Sequence, residues 1–142
     1  MNYSALEIAK YVISHEHSCN REISNLRLQK LLYFIQAKVL VEKDNPCFSD
    51  DMEAWDYGPV VPAVYYYYKI YGSMDIRRNE VFSLKDCSLT EIIDGMLDFC
   101  KDFPTYQLVE ITHRQKPWKD ARSRGAKSII SKSSIKDYFL KK

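Results

Sequence analysis

Hydrophobic residues recur mainly at helical spacing along this chain. The strongest repeat runs through residues 25–43, where Leu28, Leu31, Leu32 and Ile35 follow the i, i+3, i+4, i+7 pattern of one helix face. Apolar residues also occupy the opposite side of the same helix, so both sides must be covered by other parts of the protein. The pattern therefore predicts a central, buried helix over residues 25–43.

Further helices are predicted on both sides of this central helix. Ser4 provides an N-cap for a helix that ends near Ser14, and a polar connection follows over residues 15–22. Ser88 and Glu91 form a capping box that opens an amphipathic helix. The helices predicted after the central one cover residues 62–71, 88–103, about 105–116 and 134–140.

The segment 44–62 interrupts the helical pattern with turn-forming residues, among them the Gly58-Pro59 pair. Between these turns, residues 47–48 and 52–57 predict a small antiparallel β-hairpin near 47–57. The whole pattern predicts a mainly α fold. We expect a compact bundle of about five to seven helices around the central helix, with this hairpin attached.

Length and composition predict one ordinary globular domain over residues 1–142. The N-terminus has an early acid at Glu7 and lacks the pattern of a signal peptide, and no apolar run is long enough to span a membrane. The four cysteines are widely spaced without a C-x-x-C pair, which indicates reduced thiols. We therefore expect a cytoplasmic protein without membrane contact.

Charge is distributed unevenly along the chain. The first 113 residues hold 11 Lys and Arg against 17 Asp and Glu, whereas residues 114–142 hold 10 against 2. This basic C-terminal part suits nucleic acid, an acidic partner or plain solvent exposure. For a nucleic-acid-binding regulator, the alternative function, the candidate contacts surround Trp118 and are Arg114, Lys116, Lys119, Arg122, Arg124 and Lys127.

Residues with catalytic or metal-binding chemistry are present but form no recognisable site. His15, His17 and Cys19 would lie on one side of an extended segment as metal ligands, although a polar loop explains them as well. His113 is either a base or a hydrogen-bonded structural histidine. The sequence shows no nucleophile elbow and no phosphate-binding loop. We expect no catalytic, cofactor-binding or metal-binding residues, and hence no enzyme.

Aromatic residues are unusually frequent, with 11 tyrosines and 2 tryptophans. A buried tyrosine hydroxyl needs a polar partner, so a core of this size cannot absorb all of these rings and some must reach the surface. Either the rings border the core or they form a protein-binding patch around the Gly58-Pro59 turn. The patch would contain Trp55, Tyr57, Tyr65, Tyr66 and Ile70.

Three segments carry a family resemblance: LQKLLYFIQA at 28–37, EAWDYGPVVPAVYYYY at 53–68 and LVEITHRQKPW at 108–118. Together they resemble the Panacea domain, the SocA-like or phage-associated GepA-like antitoxin family. The resemblance covers nearly the whole chain, and the A-W-x-Y-G-P-V-x-P-x-V-Y run is its most specific part. A single Panacea domain over 1–142 is therefore expected.

This resemblance implies an antitoxin of a bacterial or prophage toxin-antitoxin system that neutralises a cognate toxin by direct binding. The toxin would come from an adjacent gene, and an adaptor role that delivers it to a protease is also compatible with the family. No active site is implied. With Tyr66 and Ile70 from the aromatic patch, the predicted partner-binding residues are Tyr33, Trp55, Tyr57, Gly58, Pro59, Tyr65, Tyr66, Ile70, His113 and Trp118.

Overall fold

The computed structural model describes residues 3–141, and within them it contains seven α-helices and a three-stranded sheet. A single 3₁₀ turn, Lys69–Tyr71, follows the third helix. The mainly α fold predicted from the sequence is confirmed. In chain order the elements are α1 (Ala5–Ser18), α2 (Asn25–Lys43), β1 (Met52–Trp55), β2 (Gly58–Val60), α3 (Pro62–Tyr67), α4 (Cys87–Cys100), α5 (Thr105–Arg114), α6 (Lys116–Ser123), β3 (Ile129–Ile130) and α7 (Lys132–Leu140).

Helix α2 lies at the centre of the bundle, as its two apolar sides predict. Leu28, Leu31, Leu32 and Ile35 are fully buried on one side, and residues of the opposite side, such as Phe34, are buried as well. Helices α1, α4, α5 and α7 pack around it. Burial on both sides explains why α2 has no polar face.

Helix α1 begins as predicted but ends four residues later, at Ser18. Ser4 and Glu7 form a capping box that satisfies the first amide groups of the helix. The last turn continues because Glu16 is buried and pairs there with Arg21. Residues 15–17 are therefore helical, which removes the extended geometry expected for the metal-ligand alternative.

The predicted hairpin exists, but its strands are shifted along the chain. Strand β1 pairs with β2 in antiparallel register, with Trp55 opposite Gly58, and β3 pairs with the other edge of β1. Residues 47–48 are not part of this sheet; Phe48 instead forms an isolated bridge with Tyr3. Gly58 closes the two-residue turn with a φ of +107°, a conformation that favours glycine.

The bounds predicted for two helices are wrong, and the sequence pattern does not predict helix α6. Helix α4 begins at Cys87, since the Asp86 carboxylate accepts hydrogen bonds from the amides of Ser88 and Leu89. The helix predicted over about 105–116 ends at Arg114, and a separate helix, α6, follows from Lys116 with Pro117 in its first turn; neither α5 nor α6 has a side-chain N-cap. The break between α5 and α6 lies beside the hairpin, where His113 and Trp118 bond the hairpin backbone.

No helix within residues 3–141 is both long and apolar enough to cross a membrane. The four cysteines are free thiols, two of them buried and two exposed. Burial raises the pKa of Cys47 to about 12 and that of Cys100 to about 11, so both thiols stay protonated at neutral pH.

Candidate functional site

Buried polar side chains on α2 hold the segment that contains the hairpin. The Gln29 side chain accepts a 2.9 Å hydrogen bond from the amide of Val61. The Gln36 side chain accepts a 2.7 Å bond from the amide of Cys47 and donates a 2.9 Å bond to the carbonyl of Phe48. Sequence patterning missed these residues because it reads polar positions as solvent-facing.

Lys30 is a third buried polar residue on α2, and it lies directly beneath the hairpin turn. Its side chain is fully buried and its Nζ donates a 2.5 Å hydrogen bond to the carbonyl of Pro59. Loss of hydration lowers the pKa of this amine to about 7. A Cβ at Gly58 would lie 2.9 Å from Lys30 Nζ and 2.7 Å from Thr112 Oγ1, so only glycine fits there.

The segment 113–122 holds the other side of the hairpin. His113 Nε2 donates to the carbonyl of Asp56 at 2.9 Å, and Trp118 Nε1 donates to the carbonyl of Trp55 at 2.9 Å. The Arg122 guanidinium bonds the Asp56 carboxylate. The three segments that resemble the antitoxin family therefore meet at the β1–β2 hairpin.

Aromatic rings are clustered where the hairpin meets α3. Trp55, Tyr65 and Tyr66 pack edge to face in pairs, with ring centroids 4.9, 5.4 and 6.1 Å apart. Tyr57 extends from the turn with 67% of its surface exposed, and Tyr66 is 56% exposed. Edge-to-face packing fixes the rings in place while leaving apolar surface open to solvent.

Trp55, Tyr57 and Tyr65 line a groove of about 500 Å³, which we call the aromatic groove. Tyr66 packs on Trp55 and Tyr65 but does not itself line the groove. The apolar lining residues of the groove are Leu26, Trp55, Tyr57, Val60 and Tyr65. Its charged lining residues are Asp56, Arg122 and Lys127. A second depression of about 550 Å³ lies between α2 and α4 and is lined by Lys38, Glu42 and Glu91 beside apolar residues of α4. None of the residues named there belongs to the three family-like segments.

The ten predicted partner-binding residues occupy three levels of burial. Tyr57, Tyr66 and Ile70 are exposed, whereas Trp55, Tyr65, His113 and Trp118 are half-buried. Tyr33, Gly58 and Pro59 are buried. The Tyr33 hydroxyl donates a 2.6 Å bond to the Gln115 side chain, so this ring stabilises the packing of α2 against residue 115 and offers no surface to a partner.

Most cations of the nucleic-acid alternative already bond other protein groups. Arg114 lies 3.8 Å from a carboxylate oxygen of Glu110, and Lys116 lies 2.6 Å from one of Asp120. Arg124 donates to the backbone carbonyls of residues 120 and 129. Arg122 is paired as described above, and Lys119 and Lys127 are exposed. The three carboxylate pairs, of Arg114, Lys116 and Arg122, partly offset the positive charge that the segment presents to a polyanion, whereas the carbonyl bonds of Arg124 leave its charge unchanged.

The histidines of α1 make contacts within the fold. His17 Nε2 donates to the carbonyl of Ile76 at 3.0 Å, and His15 Nε2 lies 3.6 Å from the Asp94 carboxylate. Across residues 3–141 there is no group of three or more His, Cys, Asp or Glu side chains placed to hold a metal ion.

The fold and the site define a small, mainly α domain in which three converging segments hold an aromatic groove. The chain belongs to the antitoxin SocA-like family, Panacea domain, whose profile matches residues 28–119, more than half of the chain. It is 43% identical over 61 residues to Antitoxin SocA of Caulobacter vibrioides (strain NA1000 / CB15N). That alignment covers 43% of this chain and only 32% of the relative. No solved structure gives a significant match.

Proposed function

We propose that this protein is an antitoxin that neutralises a cognate toxin by direct protein–protein binding, with the aromatic groove as the contact surface. Membership of the antitoxin SocA-like family supports the antitoxin role. The observation that carries the choice of surface is the exposure of Tyr57 and Tyr66 beside Trp55, at the point where the three segments meet.

Physical reasons favour this surface as a protein contact. Tyrosine and tryptophan dominate the binding energy of protein interfaces because each buries a large, rigid area with few rotatable bonds. Here the backbone beneath the rings is already fixed by Lys30, His113 and Trp118. Little conformational entropy is then lost when a partner binds, which raises affinity.

The toxin is the product of an adjacent gene, and the complex forms in the cytoplasm of a bacterium, in a chromosomal or prophage locus. The antitoxin acts by binding and catalyses no reaction.

Co-expression tests this function. The neighbouring gene is expressed alone and together with this chain, and colony growth is measured. We expect growth arrest with the neighbour alone and rescue with both proteins. A neighbour that is harmless alone, or toxic but not rescued, contradicts the antitoxin role.

Removing the exposed rings of Tyr57 and Tyr66 tests whether this surface binds the toxin. The double substitution Tyr57→Ala and Tyr66→Ala should weaken toxin binding by about 2 kcal/mol, roughly thirtyfold in Kd, because Tyr57 lines the groove and Tyr66 packs on the groove residues Trp55 and Tyr65. Tyr106→Ala is the matched control, since Tyr106 is 69% exposed but lies on α5 outside the groove lining. Equal affinity of the two variants, measured by calorimetry, would reject the groove as the contact surface.

Delivery of the toxin to a protease is a second mode of neutralisation within the same proposal. The two modes differ in toxin lifetime. Binding alone leaves the toxin at a constant level, whereas an adaptor shortens its half-life when the antitoxin is expressed. A pulse-chase measurement in cells separates them.

The alternative function, a nucleic-acid-binding regulator, rests on the six cations of residues 114–127. It requires affinity for DNA or RNA that falls steeply with added salt and is lost in the double variant Arg122→Gln and Arg124→Gln. Gel-shift titration at two salt concentrations tests it, and salt-independent or absent binding removes it.

A further inference from the structure

We infer that the aromatic groove recognises an acidic segment of the partner chain, with a carboxylate at Lys127 and a neighbouring apolar side chain against Trp55 and Tyr65. This inference rests on the proposed function, because it describes the chemistry of the protein that the groove binds. Its charged residue, Lys127, lies beyond residues 28–119, the range that the family profile matches, whereas Trp55 and Tyr65 lie within it.

Lys127 is held at the mouth of the groove by its backbone. The residue has a φ of +61°, a left-handed conformation that lysine rarely adopts. Its amide donates a 2.9 Å hydrogen bond to the carbonyl of Ala54, and the amide of Ala54 donates a 2.8 Å bond to the carbonyl of Ser128. Strand β1 therefore fixes a strained residue in place, a feature that is concentrated at functional sites.

The Lys127 side chain is directed onto the aromatic part of the groove. Its Nζ lies 4.5 Å from the centroid of the Trp55 ring, within range of a cation–π interaction. Among residues 3–141 this ammonium group has no carboxylate partner, whereas the neighbouring Arg122 is already paired with Asp56. One uncompensated positive charge thus lies beside the exposed rings, where a carboxylate would complete the charge balance.

The apolar lining of the groove favours an apolar group on the partner. Leu26 and Tyr65 are partly exposed there, and the tip of the turn adds the exposed ring of Tyr57. A purely acidic segment would leave these three side chains in water. An aliphatic or aromatic side chain next to the carboxylate removes them from solvent and supplies most of the affinity.

A peptide fits this arrangement better than a nucleic acid does. Phosphate backbones bind to tracks of several free cations, whereas Lys127 is the only unpaired cation among the groove residues that the structure describes. Nucleic-acid binding is therefore the competing result that the following experiment distinguishes.

The test uses short capped peptides labelled with fluorescein, and binding is followed by fluorescence anisotropy. The probe EELFEE carries both acids and an apolar pair, QQLFQQ lacks the charge, and EEGGEE lacks the apolar pair. A labelled oligothymidylate serves as the nucleic-acid probe. We expect EELFEE to bind more tightly than all three, and its affinity to fall as salt is added.

Substitutions of Lys127 separate binding from folding. Lys127→Gln removes the charge, and Lys127→Gly removes the side chain while suiting the left-handed backbone better than lysine does. Both should weaken EELFEE binding about fivefold, the range of an exposed ion pair, with an unchanged or higher Tm for the glycine variant. Lys119→Gln is the matched control: Lys119 is exposed but does not line the groove.

Several results would overturn the inference. These are absent binding of EELFEE, equal affinity for EELFEE and QQLFQQ, stronger Lys127-dependent binding of oligothymidylate, or wild-type affinity in both Lys127 variants. A toxin that is neutralised equally by wild type and the Lys127 variants rejects the acidic segment but leaves the antitoxin role intact. A neighbouring gene product that is never neutralised rejects the antitoxin role, while the peptide measurements still decide the chemistry of the groove.

Discussion

Gly58, in the hairpin, lies against side chains of α2 and α5. A Cβ at this position would be 2.7 Å from Thr112 Oγ1 and 2.9 Å from Lys30 Nζ, and the backbone φ of +107° disfavours any side chain. Thr112 has little freedom to move away, because its hydroxyl donates a 2.7 Å bond to the carbonyl of Val109. Steric exclusion and backbone strain therefore act together at one residue.

We predict that Gly58→Ala lowers the free energy of unfolding by about 2–4 kcal/mol, as the sum of backbone strain and overpacking. Urea denaturation followed by circular dichroism measures this change. Gly95→Ala is the control: Gly95 lies within helix α4 and a Cβ there meets nothing within 4 Å. That variant should gain about 0.5–1 kcal/mol from helix propensity. A neutral Gly58→Ala would show that the contact is not rigid.

Among single residues, the sequence predicted the exposed members of the aromatic patch but not the buried polar residues of α2. Of the five residues of the predicted patch, Tyr57, Tyr66 and Ile70 are exposed, whereas Trp55 and Tyr65 are half-buried. Burial of Gln29 and Lys30 was not predictable, since a polar residue is expected to face solvent unless its tertiary partner is known. Their partners, Val61 and Pro59, are about thirty residues away in the chain.

Side chains of helix α2 hold the backbone of the segment that leads into the hairpin. The Gln36 side chain bonds the backbone at residues 47 and 48, which lie outside any regular sheet ladder. One side chain thus replaces the strand pairing that the sequence pattern had suggested for this stretch. The strand β3 is not predicted from the sequence because it pairs with β1 over only two residues, too few to give a periodic signal.

We predict that Gln36→Leu costs about 2–4 kcal/mol, because it leaves a buried amide and a buried carbonyl without partners. Native-state hydrogen exchange should show faster exchange of the amide of Cys47. Lys38→Leu serves as the control on the same helix, since half of the Lys38 side chain is exposed. If both variants lose equal stability, the effect belongs to helix α2 and not to the hydrogen bonds of Gln36.

Helix positions were predicted well and their ends less well. The periodicity identified α1, α2 and α4, whereas the ends depended on single contacts, such as the Asp86 cap and the Glu16–Arg21 pair. A cap can be satisfied by any of several nearby polar residues, so local sequence leaves the choice open.

Across the whole molecule, charges of the basic C-terminal part are matched by acids from the hairpin region. Arg122 pairs with Asp56, Lys132 with Asp51 and Lys136 with Asp44. The charge asymmetry seen along the sequence is therefore partly cancelled in space. A count of charges along the chain therefore overestimates the positive charge that is available to a polyanion partner.

Lys30 gives the whole molecule a characteristic pH dependence. Its pKa is about 7 in the folded state and 10.5 ordinarily, so between these values the unfolded chain binds more protons. The contribution of Lys30 to the free energy of unfolding must then rise with pH between about 7 and 10.5 and stay constant below about 7. Between pH 7 and 9 we predict a gain of about 2 kcal/mol for wild type relative to Lys30→Met.

Unfolding by urea at several pH values measures this difference directly. Raised pKa values of Cys47 and the tyrosines lower stability in stronger alkali, but both proteins share those groups, so the subtraction removes them. Parallel curves for wild type and Lys30→Met would mean that the amine keeps its ordinary pKa in the folded protein.

Trp55 and Trp118, joined by the hydrogen bond from one indole to the backbone of the other, are the two tryptophans of the chain. All indole emission of this protein therefore originates beside the groove. The wavelength of tryptophan fluorescence from unlabelled protein will therefore change when a ligand occupies the aromatic groove, without a dye, a tag or an engineered probe.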